Sequence, residues 1–155
     1  YVEAFVRLKP APKRDQDLLA QVAHLSTKEG ARLKALAKLL AERSGQAVVI
    51  GLDKNDTFYT GLSQLFAQPE FKQWQRVITL TEILDHLDEV LIATRQISYT
   101  DPQVFLGRHC PFGATCGSAI LSLEGSLIGI LGPLRMDYQH AVSLLVSAKQ
   151  IFLPT

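Results

Sequence analysis

The strongest constraint on this chain is a pair of apolar runs, residues 118–123 and 126–131, set on either side of Glu124-Gly125. Two such runs around a two-residue turn read as an antiparallel hairpin, and their apolar density places it inside a sheet. Three more strands are expected. Residues 47–52 form a β-branched run, a composition that suits a buried strand. Asp53-Lys54-Asn55-Asp56 is turn chemistry, so residues 57–60 read as the return strand of a second hairpin. Residues 103–106 are the last candidate. Gly132-Pro133 is expected to break the strand it ends, and Gly129 inside that strand to mark a bulge or a close backbone approach.

Helical periodicity fills much of the remainder. Pro10 and Pro12 keep residues 1–14 extended or irregular. From Asp15 onward, Leu18, Val22 and Leu25 recur at helical spacing. Ser26 with Glu29 forms a capping box for a second helix running to Arg43, with Leu33, Leu36, Ala37 and Leu40 on one face and Ser44-Gly45 at its end. Leu62, Leu65 and Phe66 predict a short helix stopped before Pro69, and Trp74 and Val77 a partly buried segment. Thr79 and Glu82 cap a further helix whose inward face is Ile83, Leu84, Leu87, Val90 and Leu91. Its acids Glu82, Asp85, Asp88 and Glu89 read as solvated surface. Asp137 caps a last helix with Tyr138, Ala141, Val142 and Leu145 turned inward. This order of elements predicts an α+β domain built on an antiparallel sheet flanked by helices.

Composition narrows the classes. Of 155 residues, 47% are hydrophobic and 20% charged, which supports one buried core and excludes global disorder. No stretch approaches the roughly 20 apolar residues that span a bilayer, and no signal-peptide pattern opens the chain. Two cysteines do not make a disulfide framework. A cytoplasmic protein with reduced thiols and no membrane partner is expected. The net charge of +1 argues against a dedicated nucleic-acid binder, yet residues 1–45 carry nine Lys/Arg against five Asp/Glu. Phosphate-driven binding needs a denser patch, so this excess reads as a solvated helix face. The chain opens at Tyr1 without methionine, and is expected to continue a longer protein.

Reactive-looking residues are few. His109, Cys110 and Cys116 cluster, but Cys-x5-Cys is not zinc spacing, and His24, His86 and His140 are scattered over separate helices. No metal and no cofactor are expected. Arg108 and His109 beside Cys110 leave a thiol nucleophile open as an alternative, although no orienting partner is visible in the sequence. The glycines at 125, 129 and 132 form neither G-x-G-x-x-G nor a phosphate loop. Arg135 follows the Gly-Pro break. It could grip a carboxylate bidentately, with Asp137 or the sheet edge as partner, or buttress the strand-to-helix turn. No catalytic residue is assigned and the chain reads as a non-enzyme.

Residues 127–138, Leu-Ile-Gly-Ile-Leu-Gly-Pro-Leu-Arg-Met-Asp-Tyr, resemble the C-terminal signature of the HrcA heat-inducible transcription repressors. There a glycine-rich strand runs into Gly-Pro-x-Arg-Met-Asp-Tyr. Gly61-Leu62-Ser63-Gln64-Leu65 with Pro69-Glu70-Phe71 resembles a second family string, Tyr1-Val2 the tail of the family's winged-helix domain, and Val104 to Gly107 an apolar strand ending in Ile-Gly. The resemblance makes Gly61, Leu62, Pro69, Phe71, Gly129, Gly132, Pro133, Arg135, Met136, Asp137 and Tyr138 a structural or partner motif.

That resemblance implies a GAF-like α+β domain, a homodimer, repression of chaperone (heat-shock) operons through an inverted-repeat operator, and a GroE-type chaperonin that helps keep the repressor active. It divides the chain into a linker, residues 1–14, from a missing winged-helix domain, and a regulatory and dimerisation domain, residues 15–155. Operator DNA would be read only through the winged helix, since nothing here offers a recognition helix. Two departures stand out. Gly107-Arg108-His109-Cys110 replaces the acidic and Asn residues usual after this strand. The chain is also short before Gly61 and between Phe71 and Val104, where the family's inserted dimerising segment is missing or reduced. A different class remains: a freestanding GAF-type sensor whose small-molecule pocket is lined by Phe105, Phe112 and Tyr138, residues that serve equally well as core.

Overall fold

The computed structural model describes residues 6–24, 29–51, 57–67, 100–107, 110, 116–123 and 126–152. The expectations placed on Leu25, Ser26, the turn at 53–56, Pro69, Phe71, Trp74, Val77, the helix after Thr79, His109 and Phe112 lie outside these residues.

The expected hairpin is the centre of the molecule. Strands β4 (Cys116–Leu123) and β5 (Ser126–Pro133) pair antiparallel from Leu123↔Ser126 to Cys116↔Pro133. β5 continues on its other side into β1 (Ala47–Gly51), which pairs with β2 (Thr57–Thr60), and β4 pairs with β3 (Gln103–Leu106). The order across the sheet is β2-β1-β5-β4-β3, antiparallel throughout.

Because side chains alternate along a strand, the register sorts them into two faces. One carries Phe58, Val48, Ile50, Ile128, Ile130, Ala119, Leu121 and Val104 into the core. The other carries Ala47, Val49, Ile120, Leu127 and Leu131, which are equally buried. Burial on both faces explains why β1, β4 and β5 read as nearly continuous apolar runs and not as an alternation.

Helices build the layer over the first face. Helix α2 (Glu29–Ser44) packs on β1 and β2 and buries Leu33, Leu36, Ala37, Leu40 and Ala41. It ends, as expected, at Gly45, whose φ of 71° suits glycine. The short α3 (Leu62–Phe66) follows β2 and contacts β1. Helix α4 (Tyr138–Phe152) packs on β4 and is buried over most of its circumference, Ser143 and Ser147 included. Helix α1 (Lys13–Ala23) lies across α2 and α4 as an outer layer. This is the expected α+β, GAF-like architecture of an antiparallel sheet flanked by helices.

One local expectation is corrected. Helix α1 begins at Lys13 and not Asp15, with Pro12 at its N-cap, and its inward face is Asp15, Leu19 and Val22 in place of Leu18 and Val22. β5 ends at Pro133, as expected of Gly132-Pro133. Both residues still pair with β4, at Gly117 and Cys116, and proline is tolerated because it stands at the strand end, where no further ladder N–H is needed. Of the two alternatives for Gly129 the bulge is ruled out, since the residue lies in unbroken register between Val49 and Ile120.

Asp15 turns inward because Arg43 meets it there. Its Oδ1 lies 2.5 Å from Arg43 Nε, with the aspartate side chain 3% exposed. The carboxylate sits in the first turn of α1 and the guanidinium in the last turn of α2, each at the helix end whose dipole favours it. Arg43→Met is expected to cost about 3 kcal/mol, because Asp15 stays buried with its charge uncompensated. Asp15→Leu in the same chain should recover most of that loss in urea melts, whereas purely additive losses would show that the pair does not act as a unit.

Candidate functional site

The strand-to-helix corner after β5 gathers most of the motif residues. Met136 N–H donates to the Pro133 carbonyl at 3.1 Å and closes the turn. Asp137 Oδ1 accepts the His140 N–H at 3.0 Å, the N-cap role expected for it. The Asp137 carbonyl takes the first helical bond, from Ala141 N–H.

Two glycines seat this corner on the sheet. Gly117 and Gly132 are paired across β4 and β5 on the helix-facing side. A Cβ at Gly117 would collide with Tyr138 Oη, and one at Gly132 would fall 2.5 Å from Gln46 Oε1 and 2.9 Å from Met136 Sδ. The paired glycines therefore leave a notch in the sheet that receives Tyr138 and Met136, 5% and 6% exposed. Tyr138 Oη then donates back to the Leu134 carbonyl, tying helix to turn. Burial, with the nearby Cys110 and Cys116 thiols adding like charge, pushes the Tyr138 phenol up to about 12.

Outside the notch, Leu134 and Arg135 point to solvent. At the second motif string, Gly61 has φ of 81°, and a Cβ there would meet the Gln46 carbonyl at 2.7 Å and the Ala41 side chain at 2.9 Å, so only glycine fits between β2 and α3. Leu62 opens α3. The two motif strings meet through Gln46, whose carbonyl crowds Gly61 and whose side chain crowds Gly132.

Helix α4 also holds the N-terminal segment. The Gln139 side-chain amide pairs twice with the backbone of one residue, accepting from Arg7 N–H at 2.8 Å and donating to the Arg7 carbonyl at 2.9 Å. Two turns on, Ser147 Oγ accepts the Ala11 N–H at 2.8 Å. Residues 7–11 thus lie along α4 as a strap. Between strap and helix opens a cleft of about 420 Å³ lined by Lys9, Pro10, Pro12, Asp137, Gln139 and His140 among others. His140 Nε2 lies 3.0 Å from the Arg43 carbonyl. A carbonyl only accepts, so that nitrogen carries the proton. His140 joins the corner to the end of α2, and through Arg43 to Asp15.

The reactive cluster of the sequence is only partly in view. Cys110 Sγ lies 3.5 Å from Ser118 Oγ, and both thiols are buried. Among the described residues no three His, Cys, Asp or Glu side chains gather to hold a metal. Of the aromatics expected to line a sensor pocket, Tyr138 fills the sheet notch, and Phe105 is half-buried on β3.

Sequence reasoning missed Gln139, Ser147, Asp15 and Arg43, whose partners lie 28 to 136 residues away. It also missed Gly117, although folding the chain about Glu124-Gly125 sets that glycine opposite Gly132.

The fold and its corner define the class: an α+β, GAF-like domain whose antiparallel sheet is closed by a capped, glycine-notched turn. The family described as HrcA protein C terminal domain matches residues 6–142, and the chain belongs to it. A heat-inducible transcription repressor HrcA of Thermosynechococcus vestitus is 33% identical over 131 residues, covering 76% of this chain and 34% of that protein. One of Chlorobium chlorochromatii is 33% identical over 97 residues, 57% and 28% of the two chains. One of Halalkalibacterium halodurans is 29% identical over 94 residues, 56% and 27%. The chain spans about a third or less of the length of these relatives. No solved structure matches it.

The corner can be tested in two ways. Gly117→Ala should destabilise the fold by about 1–3 kcal/mol, the usual cost of overpacking, and Tyr138→Leu in the same chain should absorb part of that loss in thermal melts. The Tyr138 phenol titrates at about 12 in the fold against 10.0 for the free side chain, so the fold favours its neutral form. That contribution is complete below pH 10 and is lost as pH rises toward 12. Tyr138→Phe should therefore flatten the alkaline fall of stability measured by denaturant melts.

Proposed function

We propose that this chain is the regulatory and dimerisation domain of a heat-inducible transcription repressor that negatively regulates chaperone operons. The observation that carries the reading is the family match over residues 6–142, together with curated relatives that are all named as such repressors.

A repressor that reads an inverted repeat must itself be two-fold symmetric. In this reading the domain joins two copies, and a winged-helix domain upstream of residue 15, reached through residues 1–14, reads operator DNA. A GroE-type chaperonin is the second partner and the cytoplasm the location. No helix among the described residues is long and apolar enough to cross a membrane.

The motif divides into two tasks. Gly61, Gly132, Pro133, Met136, Asp137 and Tyr138 hold the corner in shape. Leu134, 47% exposed, and Arg135 present its outer side to a partner.

Static light scattering on the eluting chain at tens of micromolar should give a dimer, and a strict monomer would overturn the dimerisation role. Arg135→Ala should change stability by less than about 1 kcal/mol, because an exposed charge is screened by solvent, while weakening self-association at least tenfold. A melt that collapses with association intact would return Arg135 to a purely structural part.

A further inference from the structure

We propose that the exposed cations Arg7, Lys9, Lys13 and Arg14, carried on the strap and the first turn of α1, form an auxiliary contact for the phosphate backbone of duplex DNA. The proposal rests on the repressor reading and adds to it a surface outside the winged helix.

Four observations carry it. First, all four side chains are exposed, and among the described residues none is in an ion pair. Second, acid does little to neutralise them. Asp15 lies within the same stretch but is 2% exposed and committed to Arg43, which leaves Asp17 as the one exposed carboxylate among residues 6–24; across the cleft from Lys9, Asp137 is already engaged in capping its helix. Third, the cations are held in place. Gln139 and Ser147 fix the strap by its backbone, Pro10 and Pro12 stiffen it, and Lys13 and Arg14 stand on a helix. Little ordering remains to oppose binding. Fourth, the four cations fall in the basic part of the sequence: residues 1–45 hold nine of the sixteen Lys/Arg and five of the fifteen Asp/Glu.

A phosphate backbone suits this surface better than a lipid one. Membrane adsorption needs an apolar face to insert. The apolar side of α1 is turned into the core, and Leu8 is the one large apolar side chain exposed along the strap.

The test uses the 155-residue chain and a fluorescein-labelled duplex of random sequence, followed by anisotropy from 50 to 200 mM salt. Three to four phosphate contacts give a log–log slope of about −3, a loss of affinity of about sixty-fold across that range. Lys9→Gln, Lys13→Gln and Arg14→Gln together should reduce the slope to about −1 and the loss to about four-fold. Lys9→Arg, Lys13→Arg and Arg14→Lys together, which keep every charge, should leave the slope near −3. Far-ultraviolet circular dichroism and melts should show both triple variants folded, as exposed substitutions allow.

No salt-dependent binding by the parent chain, or a slope that survives the glutamine triple variant, overturns the proposal. Binding that is tighter to phosphatidylserine–phosphatidylcholine vesicles than to the duplex also overturns it, in favour of a membrane. Each of these outcomes leaves the dimer measured by light scattering untouched, so failure of this contact and failure of the repressor reading are told apart.

Discussion

The fold hinges on a missing pair of side chains. Where Gly117 faces Gly132 across the central hairpin, the sheet presents backbone to the helix layer, and Tyr138 and Met136 occupy that space. The start of α4 is set by this seat. The turn at Pro133 must be tight to bring residue 138 back over residue 117. Asp137 must cap the helix there and nowhere else, and the phenol must be long enough to span the notch and still reach the Leu134 carbonyl. Alanine at Gly117 would drive a methyl group into the Tyr138 ring and disturb the seat on which α4 starts.

The same corner gives a physical meaning to the family string that ends β5. Glycine opens the notch, proline closes the ladder where its missing N–H costs nothing, methionine and tyrosine fill the opening, and aspartate satisfies an orphan amide of the helix. These four tasks account for every buried position from 132 to 138. Leu134 and Arg135 are left to face outward, which is why the partner-facing reading falls on them.

Much of this was legible before any coordinates. The hairpin about Glu124-Gly125, the β-branched strand at 47–51, the face of α2 and the cap at Asp137 each come from local pattern, and the structure contains each of them. What local pattern did not show depends on distance along the chain. Nothing local marks Asp15, whose partner Arg43 is 28 residues away. Gln139 and Ser147 are likewise unmarked, since the strap that they hold comes from more than 130 residues away. The expected end of the strand at Gly132-Pro133 is where β5 stops. The packing adds what punctuation alone does not show: Gly132 leaves room for the side chains of Gln46 and Met136, and proline is the last residue of the ladder.

The strap has a mechanical consequence. Arg7 and Ala11 are tied to Gln139 and Ser147, positions that a helix sets about 12 Å apart, so strap and helix run side by side. Tension entering at residue 6 along that axis loads the bonds at Arg7 and Ala11 together in shear, whereas a pull away from the helix peels them one after another. The domain thus resists force from one direction far better than from the other, and the angle at which the preceding chain arrives decides which it feels.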